Sequence, residues 1–347
     1  DGKLYSQIKD PRHLGRKVMQ EFVDAGAPPE ILYAAHPHIG TFKLVKVVEN
    51  IRAQIIALGG EVRFGQRVED LLLDAADTEG QRRVRGLVVR DLASDTCSEL
   101  AASQVVIALG HSARDTFARL YERGVSMEAK PFSIGFRIEH PQSVIDRARW
   151  GRHAGHPLLG AADYKLVHHA ANGRAVYSFC MCPGGTVVAA TSEPGRVVTN
   201  GMSQYSRNER NANAGMVVAI DPPDYPRSPE AFAAAFDGQT YGVENLADGE
   251  FHPLSGIVFQ RQLESQAYVL GGSNYDAPAQ RVEDFLAGQP STALGEVEPS
   301  YKPGVHLIDL QAALPAYAIE AMREALPAFG RKIRGYDMPD ALLTGVE

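Results

Sequence analysis

The chain has 347 residues, of which 44% are hydrophobic and 22% are charged, enough to bury a sizeable core and to form two domains. Its formal net charge is -7, and its Lys and Arg residues are scattered, which argues against a nucleic-acid partner. The longest apolar runs fall far below the roughly 20 residues of a membrane span, so we expect no membrane partner either.

Cysteine content and the two ends of the chain place further limits. Three cysteines cannot form a disulfide framework for a chain of this size, and no secretory leader is visible, so we expect a cytoplasmic protein with free thiols. The chain starts at Asp1 without a polar tail and stops at Glu347, directly after the strand-like "ALLTGV". We therefore expect a piece of a larger protein.

The first predicted elements alternate between helix and strand. Thr41 can cap a helix whose apolar residues recur at helical spacing until Gly59. "EVRF" predicts a short strand, residues 67–74 and 82–91 predict a β-meander, and "QVVIAL" at 104–109 predicts a parallel strand. This order is typical of flavoprotein nucleotide-binding domains, although any α/β domain with a hairpin insertion gives the same pattern.

The segment after that strand, "GHSARDTF", predicts a glycine turn followed by a helix start. Gly110 supplies the turn, and Ser112 with Asp115 forms a capping pair. A helix N-terminus favours anions, but an ordinary cap explains this pair equally well. The chain contains no G-x-G, so it lacks the motif that usually cradles a pyrophosphate.

From residue 131 the pattern changes to short antiparallel strands. "PFSIGFRIEHP" alternates apolar and polar residues and predicts a half-buried strand whose polar face carries Arg137 and Glu139. Asn172 and Gly173 stand between two strand-like runs and predict a hairpin. Helical periodicity then follows at 229–246, 254–269, 278–287 and 315–332.

The stretch "FCMCPGG" holds the most interesting local chemistry. Cys180 and Cys182 fall on one face of a strand, roughly 6.6 Å apart, near the upper limit for a disulfide without backbone distortion, so we expect no stable bond between them. They do not form the C-x-x-C arrangement that lowers a thiol pKa at a helix start, so we expect buried, unreactive thiols rather than a redox pair. As zinc ligands the two cysteines would supply only half of a set of four. The only further candidates are two histidine pairs, His36 with His38 and His168 with His169, and we predict no metal site.

Residues 200–215, "NGMSQYSRNERNANAG", are rich in amide and guanidinium donors. Asn200, Arg207, Asn211 and Asn213 could converge on a ligand. A solvated loop made of turn-forming residues would have the same composition. The sequence leaves these two interpretations open.

Several unusual segments together resemble the uncharacterised bacterial family of FAD-dependent, or NAD(FAD)-utilising, dehydrogenases. The segments are "DGKLYSQIKDP", "GAPPEILYAAHPHIGT", "VIALGHSARDTF", "KPFSIGFRIEHP", "YSFCMCPGGTVVAATSEPG", "NGMSQYSRNERNAN", "GGSNYDAPAQRVEDFL", "PSYKPG" and "LLTGVE". The likeness runs from one end of the chain to the other.

The resemblance implies an α/β fold in which this chain is the middle of a larger flavoprotein. In the family, a Rossmann-type half with a glycine-rich phosphate loop precedes this region, and a flavin-contacting segment follows it. Residues 1–130 would then be a partial Rossmann-like FAD-binding domain with a β-meander. Residues 131–339 would be an inserted antiparallel β and helical substrate domain, and residues 340–347 would begin the return to the first domain.

The resemblance also implies a cofactor and the residues that contact it. FAD would be the cofactor, with NAD(P)H as a candidate electron donor. The contacts implied are Asp1, Gly2, Lys3 and Leu4 at the isoalloxazine edge, Val68 beside the adenine, and Ala108, Gly110 and His111 close to the dinucleotide.

The predicted function is an FAD-dependent oxidoreductase acting on a small molecule, present here as a fragment that cannot hold FAD alone. The inserted domain would cover the flavin, with Arg137, Cys180 and Cys182 as candidate catalytic residues and an arginine suited to an anionic substrate. The alternative is a non-enzymatic binding or scaffolding module derived from a flavoprotein fold. An exposed apolar sheet edge is expected, through which copies of the chain could associate.

Overall fold

The structure is a computed structural model that describes residues 2–4, 9–78 and 80–347. These residues form a mixed α/β fold. Its helices are α1 (Leu14–Asp24), α2 (Thr41–Ala57), α3 (Arg114–Glu122), α4 (Gln142–Trp150), α5 (Pro229–Ala235), α6 (Ser255–Leu270), α7 (Val282–Ala287) and α8 (Ala316–Lys332). Its strands are β1 (Gln66–Leu73), β2 (Val84–Asp91), β3 (Thr96–Ala101), β4 (Phe132–Pro141), β5 (Val167–His169), β6 (Ala175–Ala189), β7 (Thr199–Ser203), β8 (Asn211–Ile220), β9 (Ala277–Arg281), β10 (Val305–Leu307) and β11 (Leu342–Gly345).

The chain divides into two compact units that interleave along the sequence. The larger unit comprises Asp1–Ile51, Pro131–Asp224 and Gln260–Glu347, and the smaller comprises Arg52–Lys130 and Tyr225–Phe259. This division by packing differs from the domain boundaries expected from the family resemblance, 1–130, 131–339 and 340–347. Those boundaries describe an insertion into a larger protein and stay a prediction.

The larger unit is built on one eight-stranded sheet. Its strands follow the order β10-β9-β11-β4-β8-β6-β5, and β7 pairs with β6. All its strand pairs are antiparallel except β9 with β10. Helix α4 packs against β4 and β8, while α8 packs against β5, β6 and β8.

The prediction that β4 is half-buried is wrong, because the strand is buried on both faces. All residues from Ile134 to His140 are buried, including Arg137 and Glu139 on the predicted polar face. β4 lies between β11 and β8 in the middle of the sheet, so its polar face meets protein and not water. The charges on that face must therefore find partners inside the molecule.

Several local predictions are confirmed. The hairpin at Asn172 and Gly173 joins β5 to β6, with Gly173 at a φ of 82°. A helix begins at Thr41, and the strand expected near the end of the chain is β11, paired with both β4 and β9. In each case the local signal and the tertiary contacts favour the same structure.

Two helices predicted in the second half are only partly present. The helix expected at 229–246 ends at Ala235. Of the segment 278–287, the first half is strand β9, which pairs with β10 and β11, and only Val282–Ala287 is helical. Hydrogen bonding within a buried sheet outweighs a weak helical spacing over so few residues.

The smaller unit contains the meander and a separate hydrophobic core. β1, β2 and β3 form an antiparallel sheet in that order. The core places Ala118 of α3 with Phe232 of α5 and Val258 of α6. This unit thus has apolar packing of its own.

Neither of the two short strands predicted beside the meander is a strand. Residues 61–64 and 104–109 have no strand partner among the described residues, and a strand exists only through hydrogen bonds to a neighbour. The following helix also begins later than predicted, at Arg114, with Ala113 as its N-cap and no capping side chain. Gly110 does adopt the expected turn, with a φ of 70°.

None of the helices formed by the described residues has both the length and the apolar character needed to cross a bilayer.

His140 on β4 gives the stability of the fold a pH dependence. Its Nε2 donates a hydrogen bond of 2.6 Å to the Tyr336 carbonyl oxygen, and burial lowers its pKa from 6.5 to about 4. His140 is therefore protonated below about pH 6.5 in the unfolded chain, but only below about pH 4 in the folded chain. Stability should fall by roughly 2–3 kcal/mol between pH 7.5 and 4.5 on this account.

Urea unfolding at those two pH values tests this expectation. His140→Gln should lose that part of the pH dependence, whereas His169→Gln, at an exposed position of β5, should retain it. Equal pH dependence in the His140→Gln variant and the unsubstituted protein would contradict it.

Candidate functional site

Arg137 is a fully buried positive charge at the centre of the larger unit. Its Nε and Nη2 donate two hydrogen bonds of 2.9 Å to the Glu347 carboxylate. Nη1 donates to the Cys180 carbonyl oxygen at 2.9 Å and to Asn213 Oδ1 at 3.3 Å, and Nη2 reaches Asn200 Oδ1 at 3.1 Å. The planar guanidinium is thus bound on both sides, which suits arginine and not lysine.

The pairing of Arg137 with Glu347 determines the charge of this region. Burial opposes the charge of Arg137, but Glu347 and the nearby cysteine sulfurs raise its pKa overall. Burial raises the pKa of Glu347, and Arg137 acts in the opposite direction. Each ion therefore depends on the other to remain charged inside the protein.

Glu139, two residues further along β4, has partners of its own. Asn211 Nδ2 donates to Glu139 Oε1 at 3.0 Å, and the Ser300 hydroxyl donates to the same oxygen at 2.5 Å. Burial raises the pKa of this carboxyl. Glu139 and Asn211 are thus hydrogen-bonded to each other inside the protein.

A β-bulge in β6 presents the two cysteines. Phe179 pairs with Gly215 and Cys182 with Asn213, so β6 carries one extra residue there. Cys180 has a φ of 45°, a left-handed conformation that costs energy in a residue with a side chain. Such strain is stored more often at functional sites than elsewhere.

The ammonium of Lys3 joins the two thiols. Lys3 Nζ lies 3.4 Å from Cys180 Sγ, 3.1 Å from Cys182 Sγ and 2.9 Å from the Met181 carbonyl oxygen. Cys180 is partly exposed and Cys182 is buried. We call these three side chains, Lys3, Cys180 and Cys182, the thiol–lysine cluster.

The cluster separates the acidities of the two thiols. A hydrogen bond from Cys182 is the main cause that lowers the pKa of Cys180 to about 5; burial opposes it, and the charges of Lys3 and Arg137 support it. The same hydrogen bond and burial raise the pKa of Cys182. The expectation of two buried thiols holds for Cys182 but not for Cys180, which is partly exposed, and their reactivity stays a prediction.

Backbone pairing holds Lys3 in place. The Leu4 N–H donates to the Pro37 carbonyl oxygen at 3.0 Å, and the Ile39 N–H donates to the Gly2 carbonyl oxygen at 2.9 Å. Lys3 and His38 thus form an antiparallel bridge. This short pairing brings His38 next to the thiol–lysine cluster.

Two glycines allow the loop 204–208 to approach the same region. A Cβ at position 40 would lie 2.6 Å from the Tyr205 nitrogen, and one at position 184 would lie 1.9 Å from the Arg207 carbonyl oxygen. Gly40 and Gly184 are therefore required by close backbone contact. Arg207 has a φ of 50°, a second strained residue beside the cluster.

A cavity of about 280 Å³ opens between this loop and the segment around His38. Its lining includes His36, Ser206 and Arg207. His38 is only 8% exposed, and its Nε2 has no hydrogen-bond partner among the described residues. Burial, followed by the charges of Arg207 and Lys3, lowers the His38 pKa to about 4, so the ring is neutral near pH 7.

A larger cavity, of about 430 Å³, lies beside Arg174 and Asp224. These two side chains already form a pair of 2.6 Å hydrogen bonds. The smaller cavity, with its orphan imidazole nitrogen, offers more unmet hydrogen bonding to a ligand.

The structure brings together some of the residues predicted from the family resemblance. Gly2 and Lys3 adjoin the cavity segment, and Leu4 packs on the hydrophobic cluster around Ile39 and Val47. Asp1 lies outside the described residues.

The other predicted cofactor contacts belong to the smaller unit. Val68 is in β1, opposite Val89. Ala108, Gly110 and His111 are exposed in the segment before α3. Their predicted contact with a dinucleotide stays a prediction.

The described part of the chain brings no group of three His, Cys, Asp or Glu side chains into an arrangement that could hold a metal ion.

Sequence reasoning missed the roles of Lys3 and His38 at the thiols and the cavity. Lys3 is 177 residues from Cys180, so no local motif links them. The "HPH" segment was visible only as an incomplete zinc pattern, and the pairing that turns His38 toward Lys3 depends on tertiary structure. The strain at Cys180 likewise has no sequence signal.

The fold and site describe a mixed α/β protein with a buried cationic centre beside two thiols. Residues 131–347 match the family model described as FAD-dependent protein, C-terminal domain-like. An uncharacterized protein of Clostridium beijerinckii is 44% identical across the whole of this chain, which spans 58% of the length of that relative. The chain belongs to this family of FAD-dependent proteins.

The Arg137–Glu347 pair provides a test of how the site is held. Arg137→Met should lower the free energy of unfolding by about 3 kcal/mol, because it leaves Glu347 buried without its cation. The double variant Arg137→Met/Glu347→Leu should recover much of that loss. Urea unfolding at pH 7.5 measures both.

Lys17→Met provides the matched control, since Lys17 forms an exposed pair with Glu21 on α1 and its loss should leave the free energy of unfolding almost unchanged. The interpretation would be contradicted if Arg137→Met cost no more stability than this control, or if the double variant were less stable than Arg137→Met.

Proposed function

We propose that this chain is part of an FAD-dependent oxidoreductase and that it supplies one wall of the active site around the thiol–lysine cluster. The observation that carries the proposal is the match of residues 131–347 to an FAD-dependent family, since these residues include the strained bulge and the buried cation. Oxidoreductase activity fits a site in which charged groups are fixed beside a small cavity.

The residues present are compatible with a flavin near Lys3. His38 Nε2 is buried and lacks a hydrogen-bond partner among residues 2–4, 9–78 and 80–347, which a polar ring atom of a bound molecule would supply. Gly2, at a φ of 78°, packs closely against the neighbouring segment, since a Cβ there would lie 3.0 Å from the Gly40 nitrogen. This close backbone contact helps to hold Lys3 in position.

FAD, when bound, would supply two-electron transfer, while the protein supplies orientation and electrostatics. Three acceptors fix the Lys3 ammonium, so its charge is held at one place. The family resemblance implies that Lys3 lies at the isoalloxazine edge. A fixed positive charge there would favour an electron-rich, reduced cofactor.

The cavity beside His38 is our candidate for the substrate pocket. Its volume of about 280 Å³ suits a small molecule and is close to the lower end of ligand pockets. Arg207 in its lining offers a positive charge. An oxygen-bearing anion such as a carboxylate would pair with that charge.

We also propose that residues 104–109 become a strand of a Rossmann-like sheet in the complete protein. Val106 is 90% exposed and Ile107 and Leu109 are almost half exposed, although the run is as apolar as a buried parallel strand. A neighbouring strand would cover these side chains and pair their backbone. Alternatively, the same segment of a second copy of the chain could cover these side chains. NAD(P)H stays a predicted electron donor.

The first test is the absorbance spectrum, from about 300 to 550 nm, of the chain and of a form extended at both ends into the adjoining coding sequence. Each is recorded before and after denaturation. The extended protein should release a flavin, and the 347-residue chain should not. An extended protein that is colourless and does not bind added FAD would overturn the proposal.

Substitution of Lys3 tests its place in the extended protein. Lys3→Met should weaken FAD binding about tenfold, equivalent to roughly 1.4 kcal/mol, because a fixed positive charge is lost. Lys46→Met on α2, which removes an exposed lysine paired with Glu49, should leave the affinity unchanged. Equal affinities in both variants would remove Lys3 from the cofactor site.

A further inference from the structure

The thiol–lysine cluster has the geometry of a reactive centre in its own right. Cys180 is partly exposed, carries a strained backbone and lies 3.4 Å from the Lys3 ammonium. Cys182 is fully buried directly beside it. A stabilised thiolate with a second thiol in reach is the arrangement that dithiol exchange requires.

We propose that Cys180 and Cys182 form a dithiol redox centre, in which Cys180 attacks a disulfide substrate and Cys182 resolves the product. This inference is independent of flavin binding, because a disulfide is itself the oxidant. It assigns an activity to the two cysteines that neither their spacing nor the family match indicates.

The groups around Cys180 all favour or tolerate a negative sulfur. Lys3 and Arg137 place positive charges beside it, and the Cys182 thiol lies close enough to donate to the Cys180 carbonyl oxygen at 3.3 Å. Glu347 is the opposing charge, but its carboxylate is occupied by two hydrogen bonds from Arg137. The balance of charges at Cys180 is therefore positive.

The reaction balances as two exchange steps. First, the Cys180 thiolate attacks one sulfur of a disulfide R–S–S–R, so a Cys180–S–S–R bond forms and one RS⁻ leaves. Second, Cys182 loses its proton to solvent or to RS⁻ and attacks the Cys180 sulfur, so the Cys180–Cys182 bond forms and a second RS⁻ leaves. The two thiols lose two electrons, which reduce the substrate disulfide to two thiols.

The local geometry of the cysteines suits a bond that is easily reduced. The bulge and the left-handed conformation of Cys180 take the two residues out of regular strand geometry, and Lys3 Nζ lies within 3.4 Å of both sulfurs, so a bond between them would form in a strained segment. Strained disulfides have more oxidising potentials and are the labile or catalytic ones. A Cys180–Cys182 bond would therefore accept electrons readily and return to the dithiol.

Stoichiometry with an aromatic disulfide that releases a coloured thiolate tests the two roles. All proteins carry Cys97→Ser, because Cys97 is exposed on β3 and would react independently. With both remaining cysteines present, we expect two coloured thiolates per chain and a protein two hydrogens lighter. Cys182→Ser should release one and keep one aromatic group on Cys180, and Cys180→Ser should react far more slowly.

The pH profile tests the thiolate. The rates are measured in the Cys182→Ser background. Because this substitution removes a hydrogen bond that lowers the pKa of Cys180, the test compares two pH profiles in the same background, one with Lys3 and one with Lys3→Met. The rate should be nearly constant above about pH 7.5, and Lys3→Met should move its midpoint upward by about one pH unit or more. Lys3→Arg should restore the profile, and Lys46→Met should not change it.

Circular dichroism of each variant establishes that it is folded before its rate is interpreted. A lasting aromatic adduct on Cys180 when Cys182 is present would overturn the resolving role. A profile that Lys3→Met leaves unchanged would overturn the activation of Cys180 by the cluster. Equal rates for the Cys180→Ser and Cys182→Ser variants would overturn the assignment of the attacking thiol.

Discussion

The buried positive charge of Arg137 is the constraint on which the larger unit depends. An unpaired charge cannot remain inside a protein, so each of its donors must meet an acceptor. Its acceptors come from four places in the chain, namely Glu347 after β11, Cys180 on β6, Asn200 on β7 and Asn213 on β8. One side chain of β4 thus specifies how the other strands must be placed beside it.

The same constraint explains why β6 is irregular where the cysteines lie. The Cys180 carbonyl oxygen turns toward Arg137, and the extra residue of the bulge lets the strand resume its pairing at Cys182. A regular strand would use that carbonyl oxygen in the ladder with β8. The strain at Cys180 is therefore offset by a hydrogen bond to a buried cation, which is among the stronger hydrogen bonds in proteins.

How far the sequence predicted this molecule depended on the range of the interactions involved. The hairpin at Asn172 and Gly173 and the helix from Thr41 rest on local turn and capping chemistry, and both are present. The strand at 104–109 and the exposed polar face of β4 depended on what lies beside each segment, which a pattern along one segment does not record. For the same reason the resemblance led to Lys3 but not to its contacts with the thiols.

The proposals for the flavin and for the dithiol meet at Lys3. The hydrogen bond from Cys182 is the main cause that lowers the pKa of Cys180, and the charge of Lys3 supports it. Burial, followed by Arg207, lowers the pKa of His38 at the cavity, and the charge of Lys3 acts in the same direction. Both proposals therefore assign a role to the same fixed charge, and both depend on its position beside the strained bulge of β6.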